Sequence, residues 1–309
     1  MLQEVVSIGL PVDERIVIKK NRLTSPDKTK REKRVCIVTG THGDELDGQY
    51  VCYELIRRIN ENPHMLTGTI DIYPSLNPLG MDCISRGIPM FDLDLNSIFP
   101  GSDTGASAEY IAAMITEDIM GADLCVDIHS SNIFLRELMQ VRVSDESAAT
   151  LMPYARLLGA DLVWVYQSLT VLQATLAYSL NAAGVPTLAV EMGVGMRIDT
   201  AYGNRLVDGI FALLHTLGVW SAPPAVLNEP MLSTDYKVSF VSASASGVFL
   251  PRDVHGKTVQ KDEVLGEIVN PALGRVEQVV TAPGKGIVFS LREYPVVYKG
   301  SLLARVLEG

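Results

Sequence analysis

The sequence predicts an α/β fold with a largely parallel sheet flanked by helices. Short apolar runs alternate with amphipathic segments up to about residue 217. Parallel strands need crossover connections, which helices usually supply, so this alternation favours a parallel sheet. Near residue 223 the pattern changes to short alternating strands separated by Gly and Pro. We therefore predict an α/β domain over residues 1–223 and a smaller all-β domain over residues 224–309.

The predicted elements can be placed in chain order. We expect strands where apolar and β-branched residues cluster, at 15–20, 34–39, 67–75, 124–128, 161–166 and 186–190. We expect helices where apolar residues recur every three or four positions, near 46–59, 107–120, 146–158, 170–183 and 202–217. Residues 76–106 are rich in Gly, Pro, Asn and Asp and predict a long loop. A loop of that length inside a compact domain is usually functional.

Composition and charge indicate whether the protein binds nucleic acid or a membrane. The 309 residues are 47% hydrophobic and 20% charged, with a net charge of −10, which is typical of a globular protein with a substantial core. The one basic cluster, at 28–34, is short and predicts a solvated loop, so a nucleic-acid surface is not expected. No apolar stretch approaches the roughly 20 residues that cross a bilayer, and the N-terminus does not resemble a secretory signal. We expect neither nucleic acid nor membrane as a partner.

The cysteines indicate a reducing compartment. Cys36, Cys52, Cys83 and Cys125 form no CxxC pair, and three of them lie in apolar runs. Buried, reduced thiols are the expected interpretation, and they fit a cytoplasmic protein. The sequence does not determine the oligomeric state, and a homo-oligomer is one of the possibilities.

One turn organises the candidate site. The segment 40–45, Gly-Thr-His-Gly-Asp-Glu, lies between the predicted strand at 34–39 and the helix that follows. It supplies His42 and Glu45, while His129 and Glu191 end two other predicted strands. In open α/β sheets, ligands bind outside the carboxyl ends of the strands. We therefore expect these four side chains to lie close together.

Two histidines and a glutamate predict a catalytic zinc site. His42, Glu45 and His129 would leave a coordination position open for water, whose pKa zinc lowers to about 7. Glu191, a nearby carboxylate outside the ligand set, could take the proton as general base. Another divalent metal is an alternative to zinc. A histidine at a strand end can also be a structural, hydrogen-bonded residue, and spacing alone does not decide between the two.

Four motifs, taken together, resemble a known family. They are His42-Gly43-Asp44-Glu45, Asp94-Leu95-Asn96 with Phe99-Pro100-Gly101, Asp127-Ile128-His129, and Glu191-Met192-Gly193. In order and approximate spacing they resemble the succinylglutamate desuccinylase/aspartoacylase family, a branch of the zinc carboxypeptidase-like amidohydrolases. The resemblance covers essentially the whole chain. It implies a zinc carboxypeptidase-like mixed sheet and a C-terminal β-domain that shapes the active-site entrance.

The resemblance also implies roles for residues. His42, Glu45 and His129 would hold one zinc ion per chain, and Glu191 would be general base and then acid. Arg86 resembles the family arginine that polarises the scissile carbonyl and supports the oxyanion.

The second motif implies substrate contacts. Asn96 would hydrogen-bond the substrate. Asp94 either orients a zinc-bound imidazole or caps a turn, and the sequence favours neither.

Ser97 departs from the family pattern. The family usually continues Asp-Leu-Asn-Arg, and that arginine grips the substrate carboxylate, whereas a hydroxyl cannot make a bidentate, charged contact. Either another arginine takes over at this substrate-binding position, with Arg136, Arg142 and Arg197 as candidates, or the substrate lacks a carboxylate there. Taken singly, each of these arginines is expected to be solvated surface charge.

Tyr298 has two interpretations. The family's β-domain can place a tyrosine near the active-site mouth, but a tyrosine packed within the β-domain is the favoured role here.

We therefore predict a zinc-dependent amidohydrolase that cleaves the linear amide of an N-acyl amino acid or a related small amide. The alternatives are a carboxypeptidase acting on a short peptide, and a non-catalytic binding protein on the same fold. Ser97 counts against the carboxypeptidase and is the one feature that favours the binding protein.

Overall fold

The fold is built on a mixed sheet to which both halves of the chain contribute. A computed structural model describes residues 1–26, 32–167, 173–234 and 237–308. Within these residues 13 strands form the main sheet and 4 form a second sheet. In chain order the strands are β1 (Leu2–Gly9), β2 (Arg15–Thr24), β3 (Arg34–Thr39), β4 (Thr69–Tyr73), β5 (Leu124–Ser130), β6 (Leu135–Ser144), β7 (Leu162–Tyr166), β8 (Thr187–Gly193), β9 (Met231–Thr234), β10 (Val238–Ser242), β11 (Gly247–Pro251), β12 (Thr258–Val259), β13 (Val264–Asn270), β14 (Arg275–Thr281), β15 (Gly286–Arg292), β16 (Val296–Val297) and β17 (Leu302–Glu308). The helices are α1 (Asp47–Glu61), α2 (Pro78–Cys83), α3 (Ser107–Ile119), α4 (Ala148–Ala155), α5 (Leu176–Ala182) and α6 (Thr200–Thr216).

The centre of the main sheet is parallel. Strands β4, β3, β5 and β8 lie side by side in that order and run parallel. Strand β6 pairs antiparallel with β8, and β15, β17 and β10 extend the sheet antiparallel beyond it. The predicted α/β fold with a C-terminal β-domain is confirmed. The boundary at residue 223 stays a prediction, since C-terminal strands join the main sheet.

Two apolar cores cover the two faces of the sheet. Helices α1, α4 and α6 pack on one face and α3 and α5 on the other. Strand β3 shows how the sequence divides between them: Val35 and Ile37 enter the first core, while Cys36 and Val38 enter the second. Successive side chains of a strand point to opposite faces, so an unbroken apolar run serves both cores.

Several elements differ from the sequence-based expectation. The predicted loop at 76–106 contains α2 and a short 3-10 turn at Leu95–Ser97. Strands β1, β6 and β9 are not among the predicted strands. In β6 the polar residues Arg136, Glu137, Gln140 and Arg142 interrupt the apolar run, and the pairing register shifts between Glu137 and Gln140. Residues 28–31 of the basic cluster and residues 170–172 of the predicted helix near 170–183 lie outside the described residues.

The expectations for the cysteines and for membrane-spanning segments can be compared with the structure. Cys36, Cys52 and Cys125 are buried free thiols, but Cys83 is exposed, so that part of the cysteine prediction is wrong. Among the described residues, no helix combines the length and apolar character that a membrane span requires.

Candidate metal centre

Neighbouring strand ends bring the candidate residues together. His42 follows β3, His129 lies in β5 and Glu191 lies in β8, and these strands are adjacent in the sheet. His129 and Glu191 are direct partners in the parallel β5–β8 ladder. Because they are in register on adjacent strands, their side chains leave the same face of the sheet.

The three candidate ligands converge on a single point. His42 Nδ1 lies 2.7 Å from Glu45 Oε1, and His129 Nδ1 lies 2.9 Å from Glu45 Oε2. One ligand atom from each residue falls within 4.8 Å of the others, and all three residues are buried. The centroids of the two imidazole rings are 5.2 Å apart. Glu45 and His129, which are 84 positions apart, thus meet, and the two histidines share one carboxylate.

This donor set fits a divalent cation. A lone pair on either Nδ1 atom would repel the carboxylate oxygen that it faces, so each nitrogen needs either a proton or a shared cation. Burial alone lowers the pKa of His42, but Asp94 and Glu45 raise it above its usual value. Burial raises the pKa of Glu45, yet His129 and His42 outweigh it and lower that pKa to about 2. Two imidazoles and a carboxylate are also the ligand types zinc takes in catalytic sites.

Glycine allows the turn that carries His42 and Glu45 to pack directly against the backbone of α2. A Cβ on Gly43 would lie 1.9 Å from the backbone carbon of Gly80 in α2, so only glycine fits against that helix. The Gly43 N–H also donates to the Ser85 carbonyl oxygen at 3.0 Å. Gly40, at the end of β3, has a φ of 64°, which glycine adopts at little cost. The turn is thereby held against the segment that contains Arg86.

Two outer carboxylates orient the imidazoles. His42 Nε2 lies 3.0 Å from Asp94 Oδ1, and His129 Nε2 lies 3.2 Å from Asp127 Oδ2. Such partners fix the ring orientation and the tautomer of metal-binding histidines. The sequence analysis missed Asp127, although period-2 alternation places it two positions before His129 on the same face of β5.

Arg86 lies beside the metal ligands. Its Nη1 donates to Glu45 Oε1 and its Nε donates to Asp94 Oδ2, both at 3.1 Å. Its side chain is 47% exposed, so it borders the site rather than being enclosed by it. A cationic group is therefore available at the rim of the ligand cluster.

Glu191 is a carboxylate outside the ligand cluster. Its Oε1 accepts a hydrogen bond from Arg142 Nη1 at 3.1 Å. Burial raises the pKa of Glu191 above its usual value, and the positive charges of Arg142 and His129 oppose this shift. A carboxyl with a raised pKa is better matched to proton transfer near neutral pH.

The residues expected to contact substrate lie in the 3-10 turn. Asn96 Oδ1 accepts the backbone N–H of Leu176 at 2.9 Å, so it ties this turn to α5. Ser97 is exposed, and its hydroxyl donates to the Asp94 carbonyl oxygen at 2.6 Å. These contacts are structural, and the substrate-binding roles of Asn96 and Ser97 stay predictions.

The three candidate arginines lie in different places. Arg142 lies on the same face as Glu191 and bonds to it. Arg136 is 3.8 Å from Asp199 and lines a separate cavity of about 340 Å³. Arg197 borders that cavity too and donates to the Met196 carbonyl oxygen. Only Arg142 of the three therefore touches a residue of the candidate site.

Tyr298 is not packed within the β-domain. The residue is 71% exposed, and it lines a cavity of about 400 Å³ with Phe134 and Tyr294. The favoured prediction for this residue is therefore wrong.

Comparison with known proteins identifies a matching family model. Residues 31–217, more than half of the chain, match the model described as succinylglutamate desuccinylase/aspartoacylase catalytic domain. The matched range includes every candidate ligand and Glu191. No curated protein matches the chain significantly.

Solved structures share the fold along nearly the whole chain. The product-bound ectoine utilization protein EutE (DoeB) from Ruegeria pomeroyi is 20% identical with a TM-score of 0.84, covering 100% of this chain and 95% of that one. The succinylglutamate desuccinylase/aspartoacylase from Rhodobacter sphaeroides is 22% identical with a TM-score of 0.82, covering 99% and 95%. A succinylglutamate desuccinylase from Silicibacter sp. TM1040 is 17% identical with a TM-score of 0.82, again covering 99% and 95%. At these identities the likeness shows the fold.

Proposed function

Because the chain belongs to the succinylglutamate desuccinylase/aspartoacylase family, a family of hydrolases, we propose that it is a zinc-dependent amidohydrolase. Its substrate is an N-acyl amino acid or a related small amide, and its reaction is hydrolysis of the amide bond. We also propose that it holds one zinc ion per chain and acts in the cytoplasm.

One observation carries the proposal. One ligand atom each from His42, Glu45 and His129 lies within 4.8 Å of the other two, and Glu191 is the ladder partner of His129. When bound, a zinc ion would act as a Lewis acid and would lower the pKa of water, so that hydroxide is available as the nucleophile at neutral pH. A carboxylate that stays outside the ligand set can then serve as the proton acceptor.

The chain's own side chains supply the remaining steps. Glu191 takes the proton of the attacking water and later delivers it to the departing nitrogen, so the same carboxyl is base and then acid. Arg86 donates to the carbonyl oxygen as negative charge develops there. A guanidinium carries five N–H donors, and among the described residues Nη2 of Arg86 has no partner, so it can donate without breaking the bonds to Glu45 and Asp94.

The substrate class is restricted by Ser97. This hydroxyl is turned onto the Asp94 carbonyl oxygen, so it does not replace the charged grip of an arginine. We therefore favour a substrate without a carboxylate at that position. The ectoine utilization protein, which was solved with a product bound, supports a small molecule as the ligand.

The test combines metal analysis with a substrate panel. The full chain should contain about one zinc ion after purification, and His129→Ala should lower that content because it removes a ligand. The panel pairs acetyl and succinyl groups with acidic, neutral and basic amino acids, and amine release is measured. Hydrolysis of at least one neutral or basic member, lost on removal of zinc, is expected.

Other results would point elsewhere. Release of C-terminal residues from short peptides without amide cleavage in the panel would favour the carboxypeptidase. Zinc binding without any turnover would favour a binding protein. Unchanged zinc content in His129→Ala would remove that residue from the ligand set.

A further inference from the structure

A chain of ion pairs between partly and fully buried side chains leads from Glu191 to the last strand, β17. Glu137 in β6 is only 1% exposed, yet its carboxylate is well bonded. It accepts hydrogen bonds from Arg142 Nη2 at 2.9 Å and Gln140 Nε2 at 2.7 Å, and it forms a short ion pair with Arg305 of β17. A buried carboxylate is tolerated only with such partners. Glu137 is therefore a fixed anchor.

Arg142 joins this anchor to the proposed general base. One guanidinium nitrogen, Nη2, bonds to Glu137, while the other, Nη1, bonds to Glu191 at 3.1 Å. The guanidinium is planar and rigid, so two bonds to two carboxylates fix its orientation. Its central carbon also lies 5.6 Å from the centroid of the Trp164 ring, which adds a cation–π restraint.

The strand register explains why these groups meet. Gln140 is the ladder partner of Glu191, and Arg142 is the partner of Ala189 in the same β6–β8 pairing. Gln140, Arg142 and Glu191 therefore leave the same face of the sheet. Ser290 of β15, the partner of Glu137, is also the partner of Arg305, so the polar row continues into the C-terminal strands.

We propose that Arg142 is a positioning residue that holds the Glu191 carboxylate in place, with Glu137 and Arg305 as its support. This inference rests on the proposed role of Glu191 as general base. It means that the C-terminal β17 strand contributes to the active site through a partly buried network of ion pairs. It also means that Arg142 is not the arginine that replaces the one missing at Ser97, because its terminal nitrogens are bonded to two carboxylates.

The first test separates positioning from substrate binding. In Arg142→Met, Glu137 keeps Arg305 and Gln140 as partners, so the protein should fold. We expect kcat to fall about 10-fold to 100-fold while KM changes less than about twofold, because misplacing a catalytic group weakens the chemical step. Arg142→Lys should recover only part of kcat, since an ammonium cannot bridge two carboxylates. The control is Arg156→Met, which removes an exposed arginine.

Two kinetic outcomes would overturn the proposal. A raised KM with kcat unchanged would make Arg142 a receptor for a substrate carboxylate. Wild-type values of both constants in Arg142→Met would show that Glu191 needs no such support.

The second test does not depend on turnover. Urea midpoints are measured for Arg142→Met, Glu191→Gln and the double variant, using full chains with equal zinc content. If the pair is formed, the midpoint shift of the double variant differs from the sum of the single shifts. The exposed pair of Arg156 and Glu229 serves as the control and should show nearly additive shifts.

Additive shifts for Arg142 and Glu191 would refute the pairing itself. If the wild type hydrolyses no member of the panel, the proposed function fails, but this cycle still decides whether the two side chains interact.

Discussion

One carboxylate oxygen of Asp94 contacts both the His42 imidazole and the 3-10 turn at Leu95–Ser97, which follows Asp94 in the chain. Asp94 Oδ1 lies 3.0 Å from His42 Nε2 and accepts the backbone N–H of Asn96 at 2.9 Å. The sequence allows two roles for Asp94, orienting an imidazole or capping a turn, and the structure shows the contacts that both roles require. The turn holds the carboxylate where the imidazole needs it.

Two substitutions of Asp94 separate these roles. Asp94→Asn keeps an oxygen for the Asn96 N–H but loses the negative charge and the bond from Arg86, so we expect zinc affinity to fall about 10-fold to 100-fold with little loss of stability. Asp94→Ala also removes the cap and should lower the free energy of unfolding by about 1 kcal/mol more. Zinc affinity by competition with a chelator, and urea unfolding, measure the two effects. Unchanged affinity in both variants would exclude an orienting role, and Asp103→Asn, at an exposed site, is the control.

Glu191→Gln tests the proposed base. Glutamine has nearly the same shape but cannot accept the proton, so we expect kcat to fall about 100-fold to 10,000-fold. Zinc content should stay at the wild-type level, because Glu191 lies outside the ligand cluster. Steady-state kinetics and metal analysis are made on the same preparations, with Glu229→Gln as an exposed control. Substantial activity in Glu191→Gln would remove this residue from the mechanism.

Gly43→Ala tests the packing of the ligand-bearing turn. The added methyl would lie 1.9 Å from a backbone carbon of Gly80, so the turn or α2 must move. We expect stability to fall by about 1–3 kcal/mol and zinc occupancy to fall with it, since overpacking displaces the ligands. Gly9→Ala is the matched control, because nothing lies within 4 Å of a Cβ there. Equal zinc content and equal stability in the two variants would contradict this account.

The parts of the site that sequence predicts are those at strand ends. His42, His129 and Glu191 each end or follow an apolar run, and parallel strands bring such ends to one edge of the sheet. Their convergence could therefore be expected without coordinates. Asp127 could have been found in the same way, from its alternation with His129, but its place inside a buried strand concealed it.

The contacts that sequence does not predict depend on strand order. Arg142 contacts Glu191 because β6 pairs with β8 in the sheet. The local pattern of apolar and polar residues does not determine the order of the strands. The same limit applies to Glu137 and Arg305, which are 168 positions apart. The charged residues of β6 suggest a surface strand, yet Glu137 is 1% exposed because Arg142 and Arg305 balance its charge.

A second buried charge cluster lies outside the candidate site. Asp71 in β4 is fully buried and receives three cations: Arg22 at 2.5 Å, Arg34 at 3.2 Å and Lys20 at 3.4 Å. Lys20 is itself almost fully buried and also pairs with Asp118 at 2.6 Å. Asp71→Asn removes the shared counter-charge, so we expect the free energy of unfolding at pH 7 to fall by about 3 kcal/mol. Urea unfolding measures it, and Asp253→Asn, in an exposed ion pair, should have little effect.

The effect of Asp71→Asn should depend on pH in a definite direction. Burial opposes ionisation of Asp71, but the bond from Arg22 and the charge of Lys20 outweigh it and lower its pKa below the usual value. A carboxyl with a lowered folded-state pKa stabilises the protein above its unfolded pKa of about 3.9, and this stability is lost as the pH falls through the folded value. The wild type should therefore lose this contribution on acidification, while Asp71→Asn has none to lose. The stability difference between the two proteins should be largest near pH 7 and shrink below about pH 4. A difference that stays constant or grows on acidification would mean that the charge of Asp71 does not stabilise the fold.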